Sequence, residues 1–222
     1  MTDIILLDQE TTNQIAAGEV IERPASVVKE LVENSIDALA QKINIEITGG
    51  GLKRIRITDN GTGMSRENAL LSLRRHATSK IKGPEDLNNI NTLGFRGEAL
   101  PSIASVSQLT LITRSQDNLE GTEIMVRGGE IVKDIPRGCP AGTDIIVEDL
   151  FFNTPARRKF LKSEGMEVGK ISDLVNRLAL SHPNISFSLK REERQILKTW
   201  GRGDLLEVIS LIYGRNKARL FV

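Results

Sequence analysis

Two short stretches alternate with period two, Ile43-Asn-Ile-Glu-Ile47 and Arg54-Ile-Arg-Ile-Thr58, and Gly49-Gly-Gly51 separates them. Such alternation puts every isoleucine on one face of a strand, and the glycines supply the freedom to reverse direction. The pair predicts a β-hairpin with one apolar and one polar face. A sheet of that kind needs a layer over its apolar side, and the preceding segment offers one. Over 24–40, Val28, Leu31, Val32, Ser35 and Leu39 fall on one arc of a helix, with Pro24 suited to its first turn.

The rest of the chain repeats the theme. Ser65 caps a helix running to about Arg75, and 81–97 reads as a long mobile segment ending at a short helix near Glu98. Strand-like runs follow at 106–114, 122–127, 130–134 and 143–149. A basic helix is predicted over 155–163 and an amphipathic one over 167–181, where Ile171, Leu174, Val175, Leu178 and Ala179 share a stripe. Strands at 185–190 and 195–200 turn through Arg191-Glu-Glu-Arg194, then come a helix over Asp204–Tyr213 and a strand over Ala218–Val222. Hairpins outnumber βαβ units. The predicted fold is therefore a two-layer α/β sandwich, a mixed and mostly antiparallel sheet with helices on one face.

At 222 residues the chain suits one large domain, or one domain plus a fragment of another. The 30 basic and 29 acidic side chains leave a net charge of +1, so bulk charge gives no argument for nucleic acid or membrane. A single cysteine, Cys139, rules out an intrachain disulfide, and two histidines far apart make no metal site. No stretch approaches the roughly 18 apolar residues of a membrane span, and there is no basic leader. The expected setting is cytoplasmic, without membrane contact.

Three segments invite chemistry. Glu30, Asn34 and Asp37 stand at i, i+4 and i+7, on one face of the first helix. Taken alone, that face is more simply a solvated one. Asp59-Asn-Gly-Thr-Gly63 ends a strand; its carboxylate suits an exocyclic amine such as that of adenine, though Asp-Asn-Gly is also an ordinary turn. Gly94-Phe-Arg-Gly-Glu-Ala-Leu100 places glycines before a helix start, where exposed amides bind phosphate oxygens, or else forms a plain helix cap. No Gly-x-x-x-x-Gly-Lys-[Ser/Thr] occurs, which excludes a P-loop, and the third glycine of a dinucleotide fingerprint is missing.

The order of these motifs, Glu30-x-x-x-Asn34-x-x-Asp37-Ala38, Asp59-x-Gly61-x-Gly63, Gly94-Phe-Arg-Gly97 and Gly142-Thr143, resembles the four motifs of the GHKL ATPase superfamily. Asn13–Ser26, Arg75-His-Ala-Thr-Ser-Lys80 and Phe152–Leu161 resemble the N-terminal ATPase region of its DNA mismatch-repair members. The resemblance implies the Bergerat type of sandwich over 1–200, with a dimerisation arm at 1–20 and the start of a second domain at 201–222. It implies Glu30 as catalytic base and Asn34 as the Mg²⁺ ligand. Asp59, Gly63 and Thr143 would then lie at the adenine, and Thr78, Ser79, Lys80, Gly94, Phe95, Arg96 and Gly97 over the phosphates.

Asp37 is left without a role, and Leu39 stands where the family usually has glycine, which suggests a change in packing. The implied partners are ATP with Mg²⁺, weakly and non-specifically bound DNA, a second copy joined through the arm, and mismatch-recognition and strand-incision proteins. The implied activity is a weak ATPase acting as a nucleotide-gated clamp, slower still in a chain of this length. A nucleotide-sensing interaction module without turnover is the alternative, and a histidine kinase or gyrase identity a weaker third. Basic clusters at Arg157, Arg158, Lys159 and Lys162, and at Arg202, Arg215, Lys217 and Arg219, are equally readable as DNA contacts or as wet helix faces.

Overall fold

The computed structural model describes residues 4–6, 8, 12, 17–18, 20–80, 85, 93–94 and 97–221. Most of the segment over 81–97 and of the arm over 1–20, and Phe95 and Arg96, lie outside the described residues.

The isoleucine alternation does form a hairpin. Strand β1 (Lys42–Thr48) pairs antiparallel with β2 (Arg54–Asp59), and Gly49–Gly51 makes a tight 3₁₀ turn between them. The sheet is completed by β3 (Gln108–Arg114), β4 (Gly121–Arg127), β5 (Glu130–Arg137), β6 (Gly142–Glu148), β7 (Ser186–Arg191) and β8 (Arg194–Lys198). The strand order is β5-β4-β3-β6-β2-β1-β7-β8, and among the described residues only the β1–β7 pairing is parallel. This is the mixed, mostly antiparallel sheet that the hairpin-rich sequence calls for.

Register explains where the core lies. Ile124, Leu111, Ile145, Ile57, Ile45, Leu189 and Leu197 are cross-strand neighbours in one continuous row over seven strands. All seven are buried, and each stabilises the fold by roughly 1.5–3 kcal/mol. Helices cover this face: α1 (Pro24–Asp37) packs on β1 and β2, α2 (Arg66–Ser72) and α3 (Ala99–Ser105) on β3 and β4, and α5 (Glu164–Ser181) on β7. Helix α1 contributes Val27, Val28, Leu31 and Val32, while α5 contributes Val168, Ile171, Val175 and Ala179. The opposite face is polar. There Arg56 donates to both oxygens of Asp144 (Nε to Oδ1 at 3.0 Å, Nη2 to Oδ2 at 2.8 Å).

The short basic helix α4 (Pro155–Phe160) precedes α5, and α6 (Leu205–Tyr213) follows β8, capped by the Asp204 carboxylate on the Glu207 amide. Three helices end earlier than their sequence suggests, the basic α4 among them, at Phe160 rather than 163. The Ser65-capped helix stops at Ser72 rather than Arg75, and α1 stops at Asp37 rather than residue 40. At the last of these stops, Leu39 donates to the Ile36 carbonyl and Ala40 to that of Ser35. These two bonds close a Schellman turn, with Leu39 in the left-handed conformation at φ +60°. Leu39 is consequently 77% exposed and does not extend the apolar stripe, so the packing change expected there does not occur.

The strand expected over Ala218–Val222 is also absent over the described residues. Helix α7 (Arg215–Ala218) leads into a 3₁₀ turn at Arg219–Phe221. Ala218 is buried while Arg219 and Leu220 are exposed, and the three apolar residues over 220–222 carry no period able to separate helix from strand. No helix among the described residues is long and apolar enough to cross a membrane.

Candidate functional site

One row further along the sheet, the apolar pattern becomes polar. Thr122, Thr113, Thr143 and Asp59 are successive neighbours, followed by Ile43 and Phe187. Alternation therefore aims Asp59 at the covered side of the sheet, toward α1, as it does Ile55 and Ile57. The carboxylate is met there by three donors. Ser35 Oγ reaches Oδ2 at 2.8 Å, the Gly61 amide reaches Oδ1 at 2.8 Å, and the Thr143 amide adds a third bond. Burial pushes the Asp59 carboxyl above its ordinary range, against the pull of those donors.

The loop after Asp59 is fastened to the helix end. The Thr62 amide donates to the Ala38 carbonyl at 2.9 Å, and Asn60 Oδ1 accepts from the amides of Gln41 and Lys42. Gly63 has φ +64°, and a Cβ there would stand 2.0 Å from the Arg114 carbonyl oxygen. Glycine at 63 is thus demanded by the approach of two backbones, whatever else binds nearby. The neighbouring Met64 amide donates to Thr113 Oγ1, which in turn lies 3.1 Å from Thr143 Oγ1.

On α1, Glu30, Asn34 and Asp37 are half-buried rather than fully solvated, which counts against a simple wet face. Glu30 and Glu33 share the Lys29 ammonium at 3.2 and 2.8 Å. Burial pushes that amine down, but the Glu33 hydrogen bond and the two carboxylate charges outweigh it and hold Lys29 above its ordinary value. Lys80 crosses to the same helix, with Nζ 3.0 Å from Asn34 Oδ1 and 2.5 Å from Asp37 Oδ2. Gly94 joins this point, since a Cβ on it would lie 3.3 Å from Lys80 Nζ and 4.0 Å from Asn34 Oδ1. Asn34 thus presents an amide oxygen to a positive charge, as a hard divalent cation requires of its ligands.

Asn34, Lys80 and Gly94 accordingly converge, and Asp59, Gly63 and Thr143 form a second cluster by the end of α1. Thr78 accepts from the Lys80 amide at 3.2 Å, and Ser79 is exposed. Gly97 sits behind them, with the His76 amide donating to its carbonyl at 3.1 Å. Three contributors escaped the sequence reading: Ser35, Thr113 and the contacts of Asp37. Ser35 and Thr113 are polar residues at buried positions of otherwise apolar patterns, which is the signal that marks them. Of the basic clusters, Arg158, Lys159, Lys162, Arg215, Lys217 and Arg219 are exposed. Burial lowers the Arg157 guanidinium below its ordinary value and sets it apart from them.

Comparison with known proteins places the chain in a family. The family described as histidine kinase-, DNA gyrase B- and HSP90-like ATPase matches residues 21–133. The DNA mismatch repair protein MutL of Symbiobacterium thermophilum is 55% identical over 219 residues, 99% of this chain and 34% of the relative. That of Streptococcus pneumoniae is 57% identical over 222 residues, 100% of this chain and again 34% of the relative. The chain thus spans about a third of the length of these curated relatives. Among solved structures, the Aquifex aeolicus MutL ATPase domain complexed with ADP is 40% identical with a TM-score of 0.70, covering 87% of this chain and 70% of that one. The chain belongs to the histidine kinase-, DNA gyrase B- and HSP90-like ATPases, and within them to the MutL ATPase domains.

Proposed function

We propose that the chain binds ATP and hydrolyses it, as the ATPase region of a DNA mismatch-repair protein. The observation that carries this reading is Asp59, a buried carboxylate held by Ser35, Gly61 and Thr143 where the sheet meets α1. Such a group fixes an exocyclic amine by accepting a hydrogen bond from its N–H, which suits adenine. Gly63 and Thr143 complete that end of the site. Glu30, two helical turns before Asp37, is the base that orients and deprotonates the attacking water. The Lys29 ammonium lies between Glu30 and Glu33 and offsets the repulsion of the two carboxylates on one helix face.

Asn34 is the residue that would hold Mg²⁺, since its amide oxygen already accepts from an ammonium. The ion, when bound, neutralises charge on the phosphate oxygens. Thr78, Ser79, Lys80 and the segment Gly94–Gly97 supply donors for the phosphates. The Glu30→Ala variant tests the assignment. Phosphate release should fall by about 10²–10⁴-fold, the usual contribution of a general base, with affinity for a non-hydrolysable ATP analogue retained. Equal phosphate release from parent and variant would instead identify a nucleotide-sensing module without turnover.

The same reading extends to the whole protein. Residues 1–20 act as a dimerisation arm that closes two copies into a nucleotide-gated clamp, and 201–222 open a further domain. The exposed Arg158, Lys159 and Lys162 offer phosphate contacts for weak, sequence-independent DNA binding, which salt should weaken. Proteins that recognise the mismatch and cut the strand are the partners, in the cytoplasm. The 222-residue chain turns ATP over slowly. Similarity to relatives named DNA mismatch repair protein supports a role in mismatch repair.

A further inference from the structure

Asp37 is the one charged residue of the first motif that the proposed reaction leaves unused, yet its side chain is only 9% exposed. Its Oδ2 accepts from Lys80 Nζ at 2.5 Å and from the Gly94 amide at 3.4 Å, while Oδ1 accepts from the Leu93 amide at 3.1 Å. The ammonium it holds also touches Asn34 Oδ1, the oxygen assigned to Mg²⁺. An ammonium and a divalent cation cannot both crowd one amide oxygen, because like charges this close repel strongly in a half-buried site. The position beside Asn34 is thus filled by a charge from the chain itself.

We propose that Asp37 is a positioning residue that parks Lys80 on Asn34 in the nucleotide-free state, and that nucleotide binding transfers the ammonium from Asp37 to phosphate. The proposal rests on the nucleotide reading above and adds a resting state to it. In that state Lys80 stands in for the cation, so the cation site opens only when phosphate oxygens offer the lysine another acceptor. Parting Lys80 from Asp37 opposes nucleotide binding, and removing the Asp37 charge removes that opposition. Keeping the lysine off solvent also fixes where it starts from.

Calorimetric titration with a non-hydrolysable ATP analogue, in EDTA and in Mg²⁺, tests this on the parent, Asp37→Asn, Lys80→Met and the double variant. Asp37→Asn should tighten metal-free binding by about three- to tenfold, the range expected for parting a shielded ion pair. In the Lys80→Met background the same change should have no effect. Unchanged or weaker binding by Asp37→Asn, or equal tightening with and without Lys80, overturns the proposal. If Asp37→Asn does not fold, amine acylation of the parent followed by mass spectrometry decides. Without the analogue Lys80 should react more slowly than the exposed Lys159, and equal rates overturn the proposal. A parent that fails to bind the analogue in Mg²⁺ removes the nucleotide reading and this proposal together, whereas normal parent binding with no response in Asp37→Asn removes only the latter.

Discussion

Replacing Gly63 by alanine should unfasten the site from the sheet, and the cost can be worked from the backbone. The residue sits at φ +64°, where any side chain costs about 1–2 kcal/mol. The new Cβ would start 2.0 Å from the Arg114 oxygen and 3.0 Å from that of Gly142. Carbon–oxygen contacts settle near about 3.3 Å, so the loop must withdraw from β3 by about 1 Å. That movement strains a packed core, for about 1–3 kcal/mol. It also parts the Met64 amide from Thr113 Oγ1, now at 3.0 Å, for about 1–3 kcal/mol more.

A total of about 3–8 kcal/mol is comparable with the whole stability of many domains. Gly169 gives the opposite case. It lies inside α5 with nothing within 4 Å of a Cβ, so alanine there should stabilise by about 0.5–1 kcal/mol through helix propensity alone. Urea unfolding of the two variants, with ADP affinity measured alongside, checks both signs. A Gly63→Ala protein within about 1 kcal/mol of the parent, binding ADP normally, would refute the argument that backbone proximity selects this glycine.

Two further outcomes follow from particular residues. Leu39→Gly should raise the melting temperature by about 1–2 °C, because the left-handed strain it relieves slightly exceeds the added freedom of the unfolded chain. Leu39→Ala, which keeps the strain and loses only an exposed side chain, should give no such rise. For Asp59, the folded-state carboxyl is raised above the ordinary 3.8, so its contribution to stability is full below that value and lost as pH climbs through the raised one. Asp59→Asn does not titrate. Its stability relative to the parent should therefore increase from pH 4 toward neutrality in urea unfolding, even as ADP binding is lost. A relative stability that falls over that range would contradict the burial argument.

Much of this architecture is legible in one dimension because the sheet is covered on one side only. Ile43, Ile45 and Ile47 alternate with polar neighbours, and the register then puts Asp59 on the covered face with them. Helical spacing puts Glu30 and Asn34 on one face, yet alone it reads that face as solvated, and only the order of the motifs singles them out. What hides is whatever depends on a partner far along the chain. Asp37 acquires its task from Lys80, 43 residues later. Ser35 occupies a slot in an apolar stripe, so it reads as packing until Asp59 arrives beside it. The end of α1 is hidden for a local reason: Leu39 continues the stripe in sequence, and only the Schellman bonds reveal the stop. The parallel alignment of β1 with β7 leaves no trace in either strand alone.

Strand β2 has its hairpin mate on one side and β6 on the other, so the two halves of its environment come into being at different times. The hairpin is complete almost as soon as it is synthesised, whereas Arg56 waits for Asp144, 88 residues later. Gly49 waits for Glu192, 143 residues on. At typical synthesis rates of about 5–20 residues per second, the first of these intervals is about 4–18 seconds, far longer than a hairpin takes to form. During it, β2 shows an unpaired edge beside the apolar row of Ile55 and Ile57, the kind of surface that aggregates or recruits chaperones. Asp59 lies at the end of that edge, opposite Thr143. The site around this carboxylate therefore stays unmade until β6 leaves the ribosome and docks.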